Sequence, residues 1–590
     1  MLRTRLVHSS LGDSTVRALV GRGCPQGGVI SPLLWLLVAD GLLTGLERLG
    51  VDAIGYADDV ALLLSSRNEG ILHQRMQNAL DYVQQWCTSH GLRVNPSKTE
   101  MVLFTSRRRC VVRPPSIYDT VLGFSNEVKY LGVWLDRRLS WKKHITMQTN
   151  KVIMTYWACR RMFGSTWGLR PRIVKWIYTA IMLPQLAYAA VVWWTAMNKA
   201  CHRKTVDRTG RIAMLGITGA LWTTPTSALE ALLFLQPPHL HIKEVAMISA
   251  ARLRLQGRWK EASSGHAAML TADSELRGLL SWGGDACFKV NLGYGATQLG
   301  SDRKWTPPTG LVWYTDGSRI GNRAGAGIWS EGPSIARALG FHPHTTMLQA
   351  ELAALKACAR EILGRGDRGK KIYICSDSRR ALRALLKNES CSRLVNDCTD
   401  LMERVASHNQ LEVVWIPGHA GILGNKKTDE LAKRGCLEVA PTEENPVGVH
   451  IDFVKDMIWK RAERGVVERW RSEEGAKHTR TLFREPSKQL AEMLVGLNRI
   501  QLRSLIGLIT GHWPLASYLA KIGRGSDPTC PKCGLADENP HHLGTRCSGL
   551  DEIRWDVFGT TCIKDMYVDM DGIDGLYEFA RRANILAPID

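Results

Sequence analysis

Short apolar runs alternate with longer amphipathic segments between residues 310 and 436. Runs such as 371–376 and 411–416 are rich in Ile, Val, Tyr and Trp, which is typical of buried strands. Between 346 and 363, apolar residues recur at the spacing of a helix that lies against a core. Strands that alternate regularly with helices predict an α/β domain in this part of the chain.

The same pattern divides the chain into regions, which are 1–145, 146–256, 257–309, 310–437, 451–523 and 524–560. The first region mixes strand-like and helix-like segments around short polar motifs, and the second is mostly helical in pattern. The third accumulates Ser, Gly and Asp, which predicts a linker or an irregular segment. The fourth is the α/β region, the fifth is helical with mixed charge, and the last holds a cluster of Cys and His. We therefore predict a multidomain protein that combines α/β and α regions.

One stretch, from Ile177 to Trp194, is apolar enough to raise the question of a membrane span. A span needs about 20 predominantly apolar residues, whereas this stretch contains Pro184, Gln185 and two tyrosines. A proline inside a helix removes a backbone donor and clashes with the preceding turn. We therefore predict a buried helix pair that is broken at Pro184, and no membrane partner.

Tryptophan residues lie among Arg and Lys in the helical region, at Trp157, Trp167, Trp176, Trp193 and Trp194. Such side chains either pack in a core or stack against nucleic acid bases. We favour core packing here and keep direct base stacking as the alternative.

The overall charge changes the picture, because 77 Lys and Arg stand against 56 Asp and Glu, for a formal net charge of +21. Basic side chains on phosphates release counterions and gain affinity, so a nucleic acid partner explains this imbalance simply. Solubility alone is the alternative explanation. Most of the cysteines, such as Cys24 and Cys87, stand alone, which suits a reducing compartment. The N-terminal segment lacks an apolar signal core, so we expect an intracellular protein of the nucleus or cytoplasm that is not secreted.

Four acidic residues in the α/β region occupy positions from which they can converge. Asp316 ends a strand in TDGS, Glu351 lies on a helix beside its core face, Asp377 ends a strand in SDS, and Asp429 lies on the helix that GNKKTD begins. A single acid of this kind is more often a solvated surface group. Four carboxylates together would repel one another unless cations neutralise them, and hard oxygen ligands suit Mg²⁺ or Mn²⁺.

These motifs, with AEL around Glu351 and PGHAGILGN before Asp429, resemble those of type 1 ribonucleases H. The resemblance implies a mixed sheet and four acids that hold two metal ions, with His419 assisting product release or proton transfer. It also implies cleavage of the RNA strand of RNA–DNA hybrids, recognised through the 2′-hydroxyl. Relatives usually have GNExAD, whereas Lys426 and Thr428 stand at the Glu and Ala places here, so we expect lowered or altered activity at worst.

Four further motifs stand in order in the first region. GCPQGGVISPLLW places a glycine-rich turn before an apolar helix, and YADD forms a tight hairpin that presents two acids. LRVNPSKTEMVLF and VKYLGVWLD follow. YADD alone would be weak evidence, since Asp pairs are common in turns; the order and spacing of all four motifs carry the interpretation.

Together the four motifs resemble the reverse transcriptases of non-LTR (LINE-type) retrotransposons. The resemblance makes Asp58 and Asp59 the catalytic-loop acids, places Gln26 and Gly27 against template and incoming nucleotide, and puts Lys98 behind the site. The helical region that follows then corresponds to a thumb and connection. Family members carry another essential Asp before PQG at a strand end, while Asp13, in a polar turn-like context, is the sole Asp before that motif here. We therefore expect a partial palm without fingers or the first metal ligand, no upstream endonuclease domain, and no DNA polymerisation by this chain alone.

The C-terminal cluster reads C-x2-C-x8-H-x4-C, formed by Cys530, Cys533, His542 and Cys547. This spacing suits tetrahedral Zn²⁺, and the filling of all four positions predicts a structural site. His541 is the competing ligand. The cluster resembles the Cys/His element that ends many LINE-type polyproteins. Such an element is compatible with contact to RNA or DNA and equally with contact to protein.

Two functions remain as hypotheses. The first is an enzyme, a retrotransposon polyprotein fragment with a partial palm, a helical thumb, a ribonuclease H-like α/β domain and a small zinc knuckle. Its expected partners are an RNA–DNA hybrid, an RNA template and chromosomal DNA. The second is a catalytically decayed or domesticated binding protein that keeps the basic surface and the zinc knuckle.

Overall fold

A computed structural model describes residues 5–20, 27–105, 107, 109–256, 258–259, 262, 265–270, 273–280, 286–291, 309–386, 389–418, 420–441, 447–561 and 572–585. The chain forms two compact units, Met1–His144 and Ile145–Asp590.

The first unit is built from antiparallel hairpins and two long helices. The strands pair consecutively and are β1 (Arg5–Leu11), β2 (Ser14–Val20), β3 (Asp52–Tyr56), β4 (Asp59–Leu63), β5 (Ser116–Ile117), β6 (Thr120–Val121), β7 (Glu127–Tyr130) and β8 (Val133–Asp136). The helices are α1 (Ser31–Arg48) and α2 (Glu69–Ser89), with a short 3-10 turn at Pro96–Lys98. Leu42 and Leu46 of α1 pack with Val83 and Trp86 of α2, so one end of α1 forms the core of this unit.

The opposite surface of α1 is apolar and exposed, at Leu33, Leu36 and Leu37. Ile54 and Tyr56 of β3 are exposed as well. The hairpin of β3 and β4 is a two-stranded sheet with no third strand among the described residues. Exposed apolar side chains in such number are typical of a face that binds other protein or a ligand.

A helical region opens the second unit. Its helices are α3 (Lys142–Arg160), α4 (Pro171–Ile177), α5 (Leu183–Leu186), α6 (Ala190–Trp193), α7 (Ala200–Thr218), α8 (Thr226–Leu233), α9 (Pro238–Leu255) and α10 (Ser274–Leu280). A π-helical turn at Tyr178–Met182 joins α4 to α5, and 3-10 turns occupy Trp194–Asn198 and His266–Met269. The helical pattern predicted for this region is confirmed.

The predicted break at Pro184 is wrong. The chain passes through Pro184 inside α5, directly after the π-helical turn. A π turn shifts the backbone hydrogen bonds by one residue. The helix therefore continues although Pro184 has no backbone N–H to donate. The direction changes instead at Ala189, whose φ of 52° is left-handed. Among the described residues no single helix meets the length and hydropathy of a membrane span, although the pair Pro171–Leu186 and Ala190–Asn198, bent by 53°, meets them together.

Core packing is also wrong for most of the tryptophans. Trp193 is fully buried and Trp194 is half-buried, but Trp157, Trp167 and Trp176 are all more than half exposed. In α3 the buried face is the one that carries Val152 and Tyr156, so Trp157 points to the other side.

The segment predicted as a linker, 257–309, is not wholly irregular. It holds α10 and a strand, β9 (Ala286–Asn291). Leu276 of α10 is fully buried, and its backbone N–H is capped by Asp273 at 3.0 Å. A short helix with one buried apolar side chain has little hydrophobic periodicity, so the sequence pattern does not predict it.

A five-stranded mixed sheet forms the α/β region, with the order β12-β11-β10-β13-β15. The strands are β10 (Leu311–Ile320), β11 (Arg323–Ser330), β12 (Ile335–Phe341), β13 (Lys371–Ser376), β14 (Glu389–Ser392) and β15 (Gln410–Trp415), and β14 pairs with β9 outside the sheet. The helices are α11 (Met347–Arg365), α12 (Arg379–Leu385), α13 (Arg393–Ala406) and α14 (Leu423–Glu438). The first three strands of the sheet are antiparallel, and β13 and β15 run parallel to β10. The predicted α/β fold with a mixed sheet is confirmed.

The two faces of the sheet bury different helices, because successive residues of a strand point to opposite sides. Trp313 lies in the core that α11 and α13 cover. Its neighbour Tyr314 lies in the other core, where a Cβ on Gly424 of α14 would fall 2.3 Å from its ring. The central strand β10 is therefore enclosed on both faces.

Helices continue to the end of the described chain. They are α15 (Ile451–Ser472), α16 (Lys477–Leu482), α17 (Lys488–Gly496), α18 (Arg499–Thr510), α19 (Ala516–Lys521), α20 (Pro540–Thr545), α21 (Asp551–Phe558) and α22 (Gly572–Arg582). Helix α22, which the predicted regions do not include, buries Ile573, Leu576 and Phe579. Trp513 donates its indole N–H to Ile585 O at 2.7 Å and fixes the end of that segment.

Candidate active site

Asp316 and Asp377 lie side by side because of the register of two parallel strands. Thr315 of β10 is the partner of Ser376 of β13, so the next residue on each strand carries one of the two acids. Glu351 approaches from α11, whose first turn is fixed by a capping box between Thr346 and Gln349. Such a cap contributes about 1 kcal/mol to helix stability.

Glycine at position 317 lets α11 lie directly on β10. A Cβ there would fall 2.5 Å from Glu351 N, which no side chain could tolerate. The Gly317 N–H donates to Glu351 Oε2 at 3.1 Å and holds the carboxyl toward the strand. The TDGS motif thus supplies both an acid and the close contact that places a second acid beside it.

Asp316, Glu351 and Asp377 form a group whose carboxylate oxygens lie within 4.8 Å of one another. Asp316 and Glu351 are buried, at 7% and 6% exposed. Burial, with the charges of Asp377 and Asp429, raises the pKa of Asp316 to about 7. Burial, with the charges of Asp316 and Asp377, raises the pKa of Glu351 to about 9. A divalent cation held by hard carboxylate oxygens would remove this repulsion, so the donor set fits Mg²⁺ or Mn²⁺.

Two contacts outside the group hold Asp377. Asn425 of α14 donates its side-chain N–H to Asp377 Oδ2 at 3.1 Å. Trp415 at the end of β15 donates its indole N–H to Asp377 O at 3.1 Å. Both the carboxylate and the backbone of this half-buried acid are therefore positioned by neighbouring elements.

The fourth acid lies outside the group of three. Asp429 pairs with Lys433 one turn later on α14, with 2.6 Å between Oδ2 and Nζ. Its helix reaches the sheet because residue 327 is glycine, where a Cβ would lie 2.2 Å from Thr428 O. Asp429 is close enough to Asp316 for its charge to contribute to the raised pKa of that carboxyl, while Lys433 pairs with it.

The two departures from the usual GNExAD motif have different structural consequences. Thr428 is fully buried, and its hydroxyl donates to Asn425 O at 2.9 Å within the helix. A threonine at the position where the motif has alanine therefore leaves no unpaired hydroxyl. Lys426 is exposed. The predicted His419 lies outside the described residues, as does Gln26.

The predicted zinc ligands form the other such group among the described residues. Cys530, Cys533, His542 and Cys547 offer ligand atoms within 4.8 Å of one another. The Sγ atoms of Cys530 and Cys547 are 3.8 Å apart, and Cys533 Sγ lies 3.2 Å from His542 Nε2. Soft thiolates with one imidazole at this spacing fit tetrahedral Zn²⁺. The competing residue, His541, belongs to no such group.

The palm residues are arranged differently. Asp58 and Asp59 are exposed at the turn of the β3–β4 hairpin, where Tyr56 pairs with Asp59. Gly27 has a left-handed φ of 81° ahead of α1, and Lys98 is exposed in the 3-10 turn. Neither group of three or more metal-binding side chains in the described part of the chain includes these two acids.

Sequence reasoning missed several residues around these sites. Asn425 stands inside the GNKKTD motif, but a motif does not reveal which acid its amide contacts. The pairing of Asp429 with Lys433 could have been anticipated, because the two are four residues apart on a helix. Arg554, fully buried beside the Cys/His group, had no sequence signal beyond the rarity of buried arginine.

Comparison with known families gives two matches. Residues 5–135 match the family described as reverse transcriptase (RNA-dependent DNA polymerase). Residues 308–437 match the family described as RNase H, which includes all four acids. The matched segments coincide with the hairpin-and-helix unit and with the five-stranded sheet.

Curated relatives point the same way. A putative 115 kDa protein in type-1 retrotransposable element R1DM of Drosophila melanogaster is 27% identical over 42% of this chain and 24% of its own length. A probable RNA-directed DNA polymerase from transposon X-element of the same species is 32% identical over 36% of this chain and 23% of its own length. The RNA-directed DNA polymerase from mobile element jockey of Drosophila melanogaster is 26% identical over 47% of this chain and 30% of its own length. The chain thus spans less than a third of the length of these relatives.

Proposed function

Because the chain carries a reverse transcriptase region and an RNase H region similar to those of non-LTR retrotransposon Pol proteins, we propose that it hydrolyses the RNA strand of RNA–DNA hybrids. The observation that carries the proposal is the convergence of Asp316, Glu351 and Asp377 within 4.8 Å at the edge of the RNase H sheet. A polymerase that copies RNA into DNA leaves such a hybrid as its product, which gives the nuclease its substrate.

The roles of the residues follow from their positions. Asp316, Glu351 and Asp377 would hold one divalent ion, and Asp429 with Asp316 would hold a second. Bound cations there would activate a water molecule and neutralise charge at the scissile phosphate. Glu351 and Asp316 must give up their protons to bind a cation, and Asn425 keeps the Asp377 carboxylate in place.

Cleavage of a labelled RNA–DNA hybrid in Mg²⁺ tests this function. Asp377→Asn should lower the rate by about 10³-fold or more, since several kcal/mol of transition-state stabilisation come from the metal site. Asp397→Asn is the matched control, because Asp397 pairs with Lys356 on α11 away from the three acids. Equal background release by the wild type and Asp377→Asn would refute the proposal.

A binding protein without catalysis is the second candidate, and one observation favours it. Residues 145–206 contain nine Lys and Arg and no Asp or Glu. A basic segment of this kind binds phosphates regardless of catalysis. Tight hybrid binding combined with absent cleavage would select this alternative.

For the reverse transcriptase region, we propose that this chain alone does not extend a primer. Asp58 and Asp59 belong to no group of three metal-binding side chains among the described residues. Two-metal polymerisation needs a further acid from a neighbouring strand, and the described β3–β4 sheet has only its two strands. The RNA template and chromosomal DNA are partners that we propose for the longer retrotransposon protein.

For the Cys/His group, we propose a structural Zn²⁺ ion. Thiolates must stay reduced to bind it, so we propose an intracellular site of action, in the nucleus or the cytoplasm.

A further inference from the structure

We propose that the zinc element, residues 524–561, is an internal brace for the basic helical region, residues 145–256, and does not itself contact nucleic acid. The metal would order the helices that clamp the basic region in place. The inference rests on the proposed function for the identity of the ligand, a nucleic acid. The brace itself is argued from contacts within the second unit.

The clamp begins with Arg499 at the start of α18. Its side chain is 4% exposed and donates to Leu169 O at 2.5 Å. It also donates to Gly164 O at 3.0 Å and to Gly216 O at 3.1 Å. The buried guanidinium thus donates to three backbone carbonyls and joins the loop after α3 to the end of α7. These two elements are separated by about 50 residues of chain.

Two further contacts extend the clamp along the same surface. Arg503 donates to Ser165 Oγ at 3.2 Å, one helical turn after Arg499. On the far side of α18, His512 Nδ1 lies 3.1 Å from Thr223 Oγ1. The Thr223 hydroxyl is also 3.3 Å from Tyr518 OH on α19. The basic region is thus held at both ends of α18.

The zinc element is attached to this clamp through Glu538. Its carboxylate accepts a hydrogen bond from Ala516 N at 2.8 Å, and its backbone carbonyl accepts one from Ser517 N at 3.2 Å. These are the first residues of α19, so the acid caps the helix that carries Tyr518. Glu538 is 9% exposed and lies four residues before His542. Order at the metal ligands is therefore transmitted to the N-terminus of α19.

Arg554 ties the ligands to α21. It is fully buried, donates to Leu543 O at 2.7 Å and donates to Cys547 O at 2.6 Å. The guanidinium also forms an ion pair with Asp551 at the start of α21. The ligand residues thus belong to a packed unit with fixed backbone, as a brace requires.

The distribution of charge argues against a nucleic acid contact by the zinc element. The zinc element, residues 524–561, contains four Lys and Arg against six Asp and Glu. The basic helical region, residues 145–256, contains 14 Lys and Arg against three Asp and Glu. Phosphate binding depends on excess positive charge, so the basic helical region is the surface that fits a nucleic acid backbone.

Amide hydrogen exchange tests the brace, since it needs neither substrate nor catalysis. The amides of residues 164, 169 and 219 are hydrogen-bonded and lie at the clamp. Cys533→Ser should lower zinc content and speed their exchange by about tenfold or more. Cys201→Ser, at an exposed cysteine outside the element, should change neither quantity. Loss of zinc with unchanged exchange at these amides would overturn the proposal.

Two further variants separate the brace from simple unfolding. Arg499→Met should speed exchange at the same amides while zinc stays at one ion per chain. Amides of β10 and β13 should keep their protection in both variants, because those strands lie in the α/β core. If Arg499→Met leaves exchange at residues 164, 169 and 219 unchanged, the clamp is not what holds the basic region.

Binding measurements test the second half of the proposal on the full chain. The zinc-element variant combines Arg524→Gln, Lys532→Gln and Arg546→Gln. It should bind a labelled RNA–DNA hybrid within twofold of the wild-type affinity. The basic-region variant, with Lys151→Gln, Arg161→Gln and Arg172→Gln, should lose about tenfold and show a shallower salt dependence. A tenfold loss in the first variant would mean that the zinc element contacts nucleic acid. These outcomes do not depend on cleavage, so they are distinguishable from failure of the nuclease function.

Discussion

Asn425 donates its side-chain N–H to Asp377 Oδ2 at 3.1 Å, across the gap between α14 and the end of β13. The amide is 7% exposed, and no described residue donates to its Oδ1 atom. A Cβ on Gly418 would lie 3.0 Å from the same carboxylate oxygen. The Asp377 carboxylate is thus positioned by the Asn425 amide, and a side chain at residue 418 would reduce the space around it.

Replacing Asn425 by Ala should weaken metal binding at the three acids. Without its donor, the Asp377 carboxylate rotates more freely, and loss of such a supporting contact typically lowers metal affinity by about 10–100-fold. Calorimetric titration with Mn²⁺ measures the change, and activity should recover at high metal concentration. Lys426→Gln, one residue away and exposed, should bind the metal as the wild type does. Equal affinity in the Ala variant would show that Asn425 has no positioning role.

Stability without metal should fall as pH rises. The pKa values of Asp316 and Glu351 are raised from their ordinary 3.8 and 4.5 to about 7 and about 9. Between the ordinary and the raised pKa values, the folded protein binds more protons than the unfolded chain. The stabilisation contributed by these two protonated carboxyls is therefore complete below about pH 4. It is lost as the pH rises past about 7 for Asp316 and about 9 for Glu351. Thermal unfolding in a chelator, followed by fluorescence across this range, measures the decline.

The Asp316→Asn variant tests whether repulsion among the buried carboxyls causes this loss of stability. It removes one repelling charge, so its unfolding midpoint at pH 8.5 should exceed that of the wild type by about 2–4 °C, the shift expected for about 1 kcal/mol. Added Mg²⁺ should raise the midpoint of the wild type and leave the variant nearly unchanged. A midpoint for wild type that does not depend on pH would contradict the raised pKa values.

Lys433 should compete with a cation for Asp429. The pair is four residues apart on α14, with side chains 52% and 30% exposed, so Lys433→Gln should cost little stability. Without the lysine, the Asp429 carboxylate becomes available to a metal ion. The Mg²⁺ concentration for half-maximal cleavage should therefore fall by about two- to fivefold, which corresponds to the free energy of an exposed ion pair.

The matched control for this prediction is Lys460→Gln. Lys460 forms an exposed pair with Asp456 at the same spacing on α15, at 2.9 Å. This variant should leave the metal dependence unchanged. An unchanged metal requirement in both variants would mean that Lys433 does not restrain Asp429.

Primer extension on an RNA template should yield no product from this chain alone. The exposed acids Asp58 and Asp59 lack a third carboxylate in the described part of the chain, and two-metal transfer needs one. Hybrid cleavage by the same preparation controls for folding. Extension that disappears in Asp58→Asn would show that another residue completes the site.

The placement of the three acids could be predicted from sequence because each follows from a local rule. Asp316 and Asp377 end apolar strands, and parallel strands bring their carboxyl ends to one edge. Glu351 follows from the helical spacing of apolar residues in α11. For Asp429, helical spacing predicts the contact with Lys433, but it does not predict that this contact leaves the acid outside the group of three.

The tryptophans and Pro184 show where sequence reasoning fails. Helix α3 has two apolar stripes, one through Val152 and Tyr156 and one through Met154 and Trp157, and the tertiary contacts select the first. Sequence periodicity alone does not choose between two such faces. At Pro184 a π-helical turn absorbs the missing donor, and such turns have no sequence signature. By contrast, Ile573, Leu576 and Phe579 of α22 recur at helical spacing, so this helix is predictable from the sequence.

The position of α14 also has a consequence for synthesis of the protein. Asp316, Glu351 and Asp377 leave the ribosome before Asp429, and the helix that carries this last acid packs against Gly327 of β11, formed about 100 residues earlier. A product that stops before α14 has the strands of the sheet, yet lacks both Asn425 and the fourth carboxylate. We therefore expect such a fragment to be inactive on hybrids even though its three other acids are present, because Asp377 lacks its amide partner and a second ion lacks a ligand.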